Sequence, residues 1–598
     1  MHSAEAPSSH ETLLLEIGVE ELPSSFVDAA LAALPKIVAE EIASARLTHG
    51  EVTALGTPRR LGLLVRDLPA RQLDLDEVVV GPSEAIAFKD GSPTKAAEAF
   101  AAKLGVAVGS LDVVERPAGP KQKPGRYVRG RRVEKGRATA ELLGGVLERV
   151  SAAIPFKKSM RWADLDVAFG RPVQWIVALL GDQVVPFVFA GVASGRTSRG
   201  HRFLSPDEFD VTSPGAYLAE LRERHVIVDP RERVKAMLDR VSEAARAAGG
   251  TYDEEPMLVS ENASLVEEPH VVTGSFDSAF LALPPAVIRA VARGHQRYFC
   301  LQKSDGELLS DYVAVVNTAN RPDLIVKGTD RVMRARLSDA RFFWEEDLKT
   351  RLESRYEKLG GIVFHALLGT VRDKVDRIGR LADHIASTID LADARRAVVT
   401  RAARLCKCDL VTLMVGEFPE LQGHMGREYA AAQGEPQEVA NAIRDHFKPL
   451  GGQDAVAGDD VSAVIALADR FDTLAGCFAV GLAPTGAADP FALRRACISA
   501  LRTMIERGYG ALAFSPLVGA AYDAYAGTKL NLTRAEAIAK LEEFAVERLR
   551  GLLASATSGT VADAVLSGSG VATLENVVAA FARARALKAV VDAREPWL

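Results

Sequence analysis

Three sets of side chains are of a type and spacing that could do chemistry. The first is a His/Asp series in a stretch of helical periodicity: His365 and His384, then the pair Cys408-Asp409, then Asp469 and Asp472. A metal-dependent HD phosphohydrolase needs a His, an adjacent His-Asp pair and a later Asp, so that imidazoles and carboxylates converge on one or two ions. Here the central histidine is replaced by Cys408, and the hydrolytic ions prefer imidazole and carboxylate to thiol. The position reads as degenerate, with no metal expected and with Asp409 expected to hydrogen-bond or pair with Lys374 or Arg377. The second set is basic: Arg126, Arg129, Arg131 and Arg132; Lys157, Lys158 and Arg161; Arg199, His201 and Arg202; and Arg334 and Arg336 within a run ending in Phe342-Phe343-Trp344. Guanidinium groups pair phosphate oxygens bidentately, and neighbouring aromatics stack on unpaired bases, so these are candidate RNA contacts. Carboxylates adjacent in the fold would instead make them solvated structural faces. The third set is the thiols. Cys406 and Cys408 are spaced C-x-C with no second pair nearby, which is not a zinc ligand pattern.

No catalytic constellation is recognisable. There is no phosphate-binding Gly-rich loop ending in Lys-Ser/Thr and no Gly-x-Ser-x-Gly elbow. The His-x-Gly-His and Arg-rich signatures of adenylate-forming synthetases are missing too. A chain of 598 residues without such a site reads as a binding subunit, with no catalytic residue of its own. Its net charge of −6 requires any nucleic acid to be met by local basic surfaces. Five cysteines, an odd number in no framework spacing, point to a reducing cytoplasm. The most apolar stretch, Trp175 to Ala193, is broken by Gly181-Asp182-Gln183 and Pro186. It reads as two strands, Val173–Leu180 and Val184–Phe189, rather than a membrane helix.

The elements that must position these groups fall into three regimes. Residues 1–11 are polar and expected to be disordered. Residues 12–345 mix short β-rich runs (Leu63–Val65, Val78–Val80, Tyr127–Val128, Val226–Val228, Val271–Val272, Tyr312–Val316) with helices, an α+β pattern of more than one domain. Residues 346–510 are all-helical: Leu367, Val371, Val375, Ile378 and Leu381 recur at helical spacing, as do Ile465, Ala468, Phe471, Leu474 and Phe478. Residues 511–598 are Ala-rich and helical. At the start, Leu13-Leu14-Leu15-Glu16-Ile17 predicts a buried strand, Gly18 a turn, and Pro23 the first turn of a helix through Phe26, Ala30 and Leu31.

As a string, Leu13 to Pro23 resembles the opening of the β subunit of bacterial heterotetrameric glycyl-tRNA synthetase. Further strings resemble the same family in collinear order: Thr57-Pro58-Arg59-Arg60-Leu61, Met160-Arg161-Trp162, Gly200-His201-Arg202-Phe203, Arg334 to Ala340, Leu368 to Lys374, Lys407-Cys408-Asp409-Leu410, Ala468 to Gly476 and Asp489 to Ala496. The resemblance implies a multidomain α+β chain with a B3/B4-like module in its N-terminal half and a degenerate HD-like domain. It implies a role in glycine–tRNA ligation, in a heterotetramer of two α and two β subunits. ATP with Mg2+ and the class II site would lie on the α subunit, and this chain would hold tRNA-Gly. Family members continue into a helical anticodon-binding domain of the DALR type, which is expected to be absent here, by truncation or by lineage. Two alternatives stay open: a metal-dependent HD-type nucleotide phosphohydrolase, and an assembly scaffold that does not bind RNA.

Overall fold

The computed structural model describes residues 10–116, 124–486, 488–567 and 570–593. The disorder expected for residues 1–11 falls, up to residue 9, outside them; His10 and Glu11 already begin the first strand. Two compact units divide the chain, one formed by Met1–Ser275 and Arg297–Asp330, the other by Phe276–Gln296 and Arg331–Leu598.

The first unit is built on β1 (His10–Val19), the leucine-rich strand read from the sequence. It pairs antiparallel with β3 (Arg60–Pro69) on one side. On the other it pairs antiparallel with the strand Val173–Leu180. The strand β2 (Val52–Thr57) extends the sheet beyond β3. Strand residues alternate between faces, and here both faces are covered. Leu13, Leu15, Ile17 and Val19 enter one core with the helix α1 (Ser24–Ser44), while Leu14 enters a second core with Trp175, Val177, Leu179 and Tyr217. Glu16 and Gly18 fall on that second face, so a carboxylate is carried into an apolar layer. Gly18 is not a turn. It pairs with Arg60 and Trp175 inside the sheet, and a Cβ there would overlap the Trp175 indole.

A separate three-stranded sheet has β6 (Gly125–Glu134) between β4 (Leu75–Ser83) and β5 (Asp112–Arg116). A four-stranded antiparallel sheet orders Thr251–Tyr252, Phe299–Gln302, Leu308–Val316 and His270–Ser275. The helix Pro230–Ala247 packs on it through Met237, Val241 and Ala245. Val226–Val228 is not a strand: its extended backbone is bonded outside any ladder, Ile227 donating to the Glu267 carbonyl and Gly56 to that of Val228. Pro186 splits the second apolar run into Gln183–Val184 and Val188–Phe189, because proline cannot donate to a ladder.

The second unit is helical apart from the hairpin Val363–His365 with Gly369–Thr370. It takes α2 (Pro322–Leu348) from Arg331 onward. The helix α3 (Val371–Thr388) starts at a reciprocal cap in which Thr370 and Asp373 satisfy each other's backbone N–H, so Leu367 lies before the helix. At the centre is α7 (Asp460–Ala479), buried on nearly all sides. Around it pack α3, α4 (Asp393–Leu405), α6 (Gln437–Asp445) and α8 (Leu493–Glu506). The short α5 (His424–Ala432) packs against α6.

Because the indole fills the space above Gly18, Gly18→Ala is expected to cost about 1–3 kcal/mol of stability. A denaturant titration followed by tryptophan fluorescence checks this; an unchanged midpoint would contradict the packing described.

Candidate functional site

In the first unit the Glu16 carboxylate accepts from the Trp175 indole N–H, the Tyr217 hydroxyl and the Ser198 hydroxyl, the last at 2.7 Å. Arg60, fully buried beside it, lies 3.5 Å from Glu16 Oε2 and donates through Nε and Nη2 to Glu267 Oε1 at 3.2 and 3.0 Å. Arg59 and the Thr57 hydroxyl complete the shell of Glu267 at 3.3 and 3.0 Å. Burial works to raise the pKa of Glu267, but Arg60 and Arg59 beside it hold it below the usual carboxylate range. Above this network opens a polar cavity of about 290 Å³ lined by Arg59, Trp175, Arg199 and Arg202. Arg199 lies over the Trp175 ring, 5.1 Å from its centroid, and pairs with Glu208 at 2.9 Å; Arg202 pairs with Glu21 at 2.8 Å. His201 is buried. Its Nδ1 accepts from the backbone N–H of Phe203 and Leu204, which leaves Nε2–H to donate to Asn317 at 3.0 Å. It fixes a turn and faces no phosphate route.

The other basic clusters divide into paired and free. On β6 each arginine meets a carboxylate: Arg126 Glu84 at 3.0 Å, Arg129 Asp112 at 3.7 Å, Arg131 Asp76 bidentately, and Arg132 both Glu77 and Glu134. Lys157, Lys158 and Arg161 differ. They lie exposed on the loop before the strand Val173–Leu180, with no carboxylate within 4.0 Å among the described residues. On α2, Arg334 is exposed and likewise free, and Arg336 reaches Glu417 at 3.8 Å.

In the second unit Asp409 does not meet Lys374 or Arg377, contrary to the sequence expectation. Its Oδ2 accepts the backbone N–H groups of Gly423 and Gly426 at 2.6 and 3.0 Å, at the start of α5, and its Oδ1 has no partner. Burial raises its pKa to about 6. Lys374 and Arg377 turn instead to α7. Lys374 Nζ lies 2.8 Å from Asp469 and 3.0 Å from Asp472, and Arg377 Nε 2.6 Å from Asp472. Lys407 Nζ reaches Asp469 at 2.8 Å and His446 Nε2 at 2.8 Å. Ammonium groups thus already occupy the carboxylates of α7. Cys408 is buried and its thiol pKa pushed up by desolvation. His365 packs edge-on to Phe491 and His384 is exposed, and neither pairs with Asp409, Asp469 or Asp472 among the described residues. Among the described residues no group of three or more His, Cys, Asp or Glu could hold a metal ion.

The family model described as glycyl-tRNA synthetase beta subunit matches residues 13–567. The chain belongs to that family. The glycine–tRNA ligase beta subunit of Myxococcus xanthus is 46% identical over 585 residues, 97% of this chain and 82% of the relative. That of Geobacter sulfurreducens is 44% identical over 579 residues, 96% of this chain and 82% of the relative. That of Geotalea daltonii is 42% identical over 577 residues, with the same two shares. As a glycyl-tRNA synthetase beta subunit, the chain works in glycyl-tRNA synthesis, and neither the phosphohydrolase nor the scaffold reading is favoured. No helix among the described residues is long and apolar enough to cross a membrane.

For this glycyl-tRNA synthetase beta subunit, sequence reading missed Glu16, Arg60 and Glu267. Their signal was weak but present: in a strand, Glu16 must share a face with Leu14, and a carboxylate there demands a buried cation. It also missed the link of Lys374 and Lys407 through Asp469, which no local spacing reveals.

Two expectations follow from these carboxylates. Glu267 has a depressed folded pKa, so its stabilisation is present above the unfolded value of 4.5 and lost as pH falls through the folded one. Acid unfolding of Glu267→Gln should lose that component. Asp409 is the opposite case: its folded pKa of about 6 exceeds the unfolded 3.8, so stability falls as pH rises between them. Asp409→Asn should flatten that segment of a stability–pH curve, whereas Asp409→Ala, which orphans two backbone N–H groups, should cost roughly 1–3 kcal/mol.

Proposed function

We propose that this chain holds and orients tRNA-Gly for ATP-dependent glycylation at an active site on the α subunit, in a cytoplasmic heterotetramer of two α and two β subunits. ATP and its Mg2+ are assigned to the α subunit, since Asp469 and Asp472 of the helical unit are already paired with Lys374, Lys407 and Arg377. The N-terminal half (12–345) is assigned a B3/B4-like module, residues 346–510 a degenerate HD-like domain, and 511–598 a helical C-terminal region.

The observation that carries the RNA-holding role is the free cationic loop Lys157, Lys158 and Arg161. Three exposed cations without internal partners are stabilised most by an external polyanion, and a polyanion bound there releases its counterions. The cavity lined by Arg199, Arg202 and Trp175 supplies a second surface, with Arg199 over the indole and both arginines at its rim for phosphate or base contact. The arginines of β6 (Arg126, Arg129, Arg131, Arg132) together with Arg334 and Arg336 on α2 remain candidate contacts. His201 acts on this surface only by shaping the turn that carries Arg202.

Reversing charge at Lys157, Lys158 and Arg161 together should weaken tRNA-Gly binding at least tenfold and shrink the slope of log affinity against log salt by about 2. Glycylation by the α subunit with this variant should need correspondingly more tRNA. Affinity and slope equal to those of the unaltered chain would remove the loop from the RNA surface.

A further inference from the structure

The helical unit contains a cavity of about 550 Å³ that nothing above uses. Its floor is Lys407 and Asp469, its wall Lys374 and Arg470, and its mouth Phe364, Phe491 and Arg495. The charges do not balance. Asp469 is shared by Lys374 and Lys407, and Asp472 behind it by Lys374 and Arg377. Arg470 spends its guanidinium on backbone carbonyls of Ala466 and of His446 through Pro449, which bring no countercharge. Arg495 is exposed with no carboxylate partner among the described residues. Cations therefore exceed carboxylates around a concave site in a chain of net charge −6.

The donors point the same way. Lys407, only 6% exposed, has three N–H groups but two bonded acceptors, Asp469 Oδ2 and His446 Nε2. His446 is held as an acceptor there because its Nδ1 bonds the Ile443 carbonyl at 2.7 Å, and burial with Lys407 alongside keeps it neutral. The third N–H of Lys407 lacks an oxygen acceptor, with the Phe447 ring 4.1 Å from Nζ. At the mouth, Phe491 is braced edge-on by His365 and Phe364 lies under Lys374. Partly exposed rings next to the unpaired Arg495 and the open donor of Lys407 suit a ligand with one planar and one anionic end.

We propose that this cavity binds a phosphate-bearing unpaired nucleotide, its phosphate at Arg495 and Lys407 and its base against Phe491 or Phe364. The ligand is either a free mononucleotide or the unpaired end of an RNA, and the cavity serves as a binding site without hydrolysis. The proposal stands apart from the role of the Lys157–Arg161 surface.

The test is calorimetric titration of the full chain with adenosine 5′-monophosphate, adenosine, inorganic phosphate and a 5′-phosphorylated RNA trinucleotide. Adenosine monophosphate should bind with a dissociation constant of about 1 mM or tighter, and adenosine at least tenfold more weakly. Arg495→Glu, at an exposed position, should weaken the mononucleotide about tenfold without moving the thermal midpoint. Phe491→Ala should weaken the mononucleotide and leave inorganic phosphate unchanged. A trinucleotide tighter than the mononucleotide assigns the site to RNA ends, and one no tighter assigns it to free nucleotides. No binding of the mononucleotide, or binding indifferent to Arg495→Glu, overturns the proposal. Neither result bears on tRNA-Gly affinity, which is measured separately.

Discussion

The first unit depends on one buried arginine between two buried carboxylates. Arg60 sits at the start of β3 and meets Glu16 of β1 and Glu267 beside the four-stranded sheet. Removing either kind of charge leaves the other stranded in a medium that solvates it poorly, at a cost of about 3–5 kcal/mol. Asn317, at the end of the strand Leu308–Val316, accepts from the Glu267 backbone N–H and from His201, so the turn bearing Arg202 is fixed to the same point. The central strand, the small sheet and the rim of the Trp175 cavity thus share one electrostatic anchor. The surface arginines Arg199 and Arg202 stand around this anchor, each paired with a glutamate of its own, Glu208 and Glu21.

The helical unit repeats this solution in another form. Asp469 and Asp472 lie on a helix surrounded by others, and Lys374, Lys407 and Arg377 converge on them. Burial alone would raise the pKa of Asp469, yet the two lysines bring it well below the ordinary range. A divalent ion brought to these carboxylates would have to displace ammonium groups that already satisfy them.

The sequence made legible what rests on local periodicity. The leucine-rich strand, α1 and α7 lie where their spacing placed them, α3 does so from Val371 onward, and the family strings were readable without a structure. What escaped depended on register or distant pairing. The β6 arginines look unopposed in sequence, but the ladder sets Arg132 opposite Glu77 and Arg129 opposite Asp112. Gly18 read as a turn because glycine permits one; its reason for being there is an indole on the neighbouring strand. Asp409 was matched to the nearest plausible cations, but its true partners are two backbone amides at a helix start.

The cross-strand pairs of β6 have a consequence for any polyanion that approaches them. These arginines carry their counter-ions covalently, as Asp76, Glu77, Asp112 and Glu134 of the same sheet. A guanidinium that leaves a carboxylate for a phosphate exchanges one partner for another, while the cation condensed on that phosphate is still set free. Such a contact keeps the entropy of ion release but must first open an exposed ion pair, at a cost of about 0–1 kcal/mol. Arginine for arginine, the strand is thereby a weaker draw for a polyanion than the unpaired Lys157, Lys158 and Arg161, by the small cost of opening its own pairs.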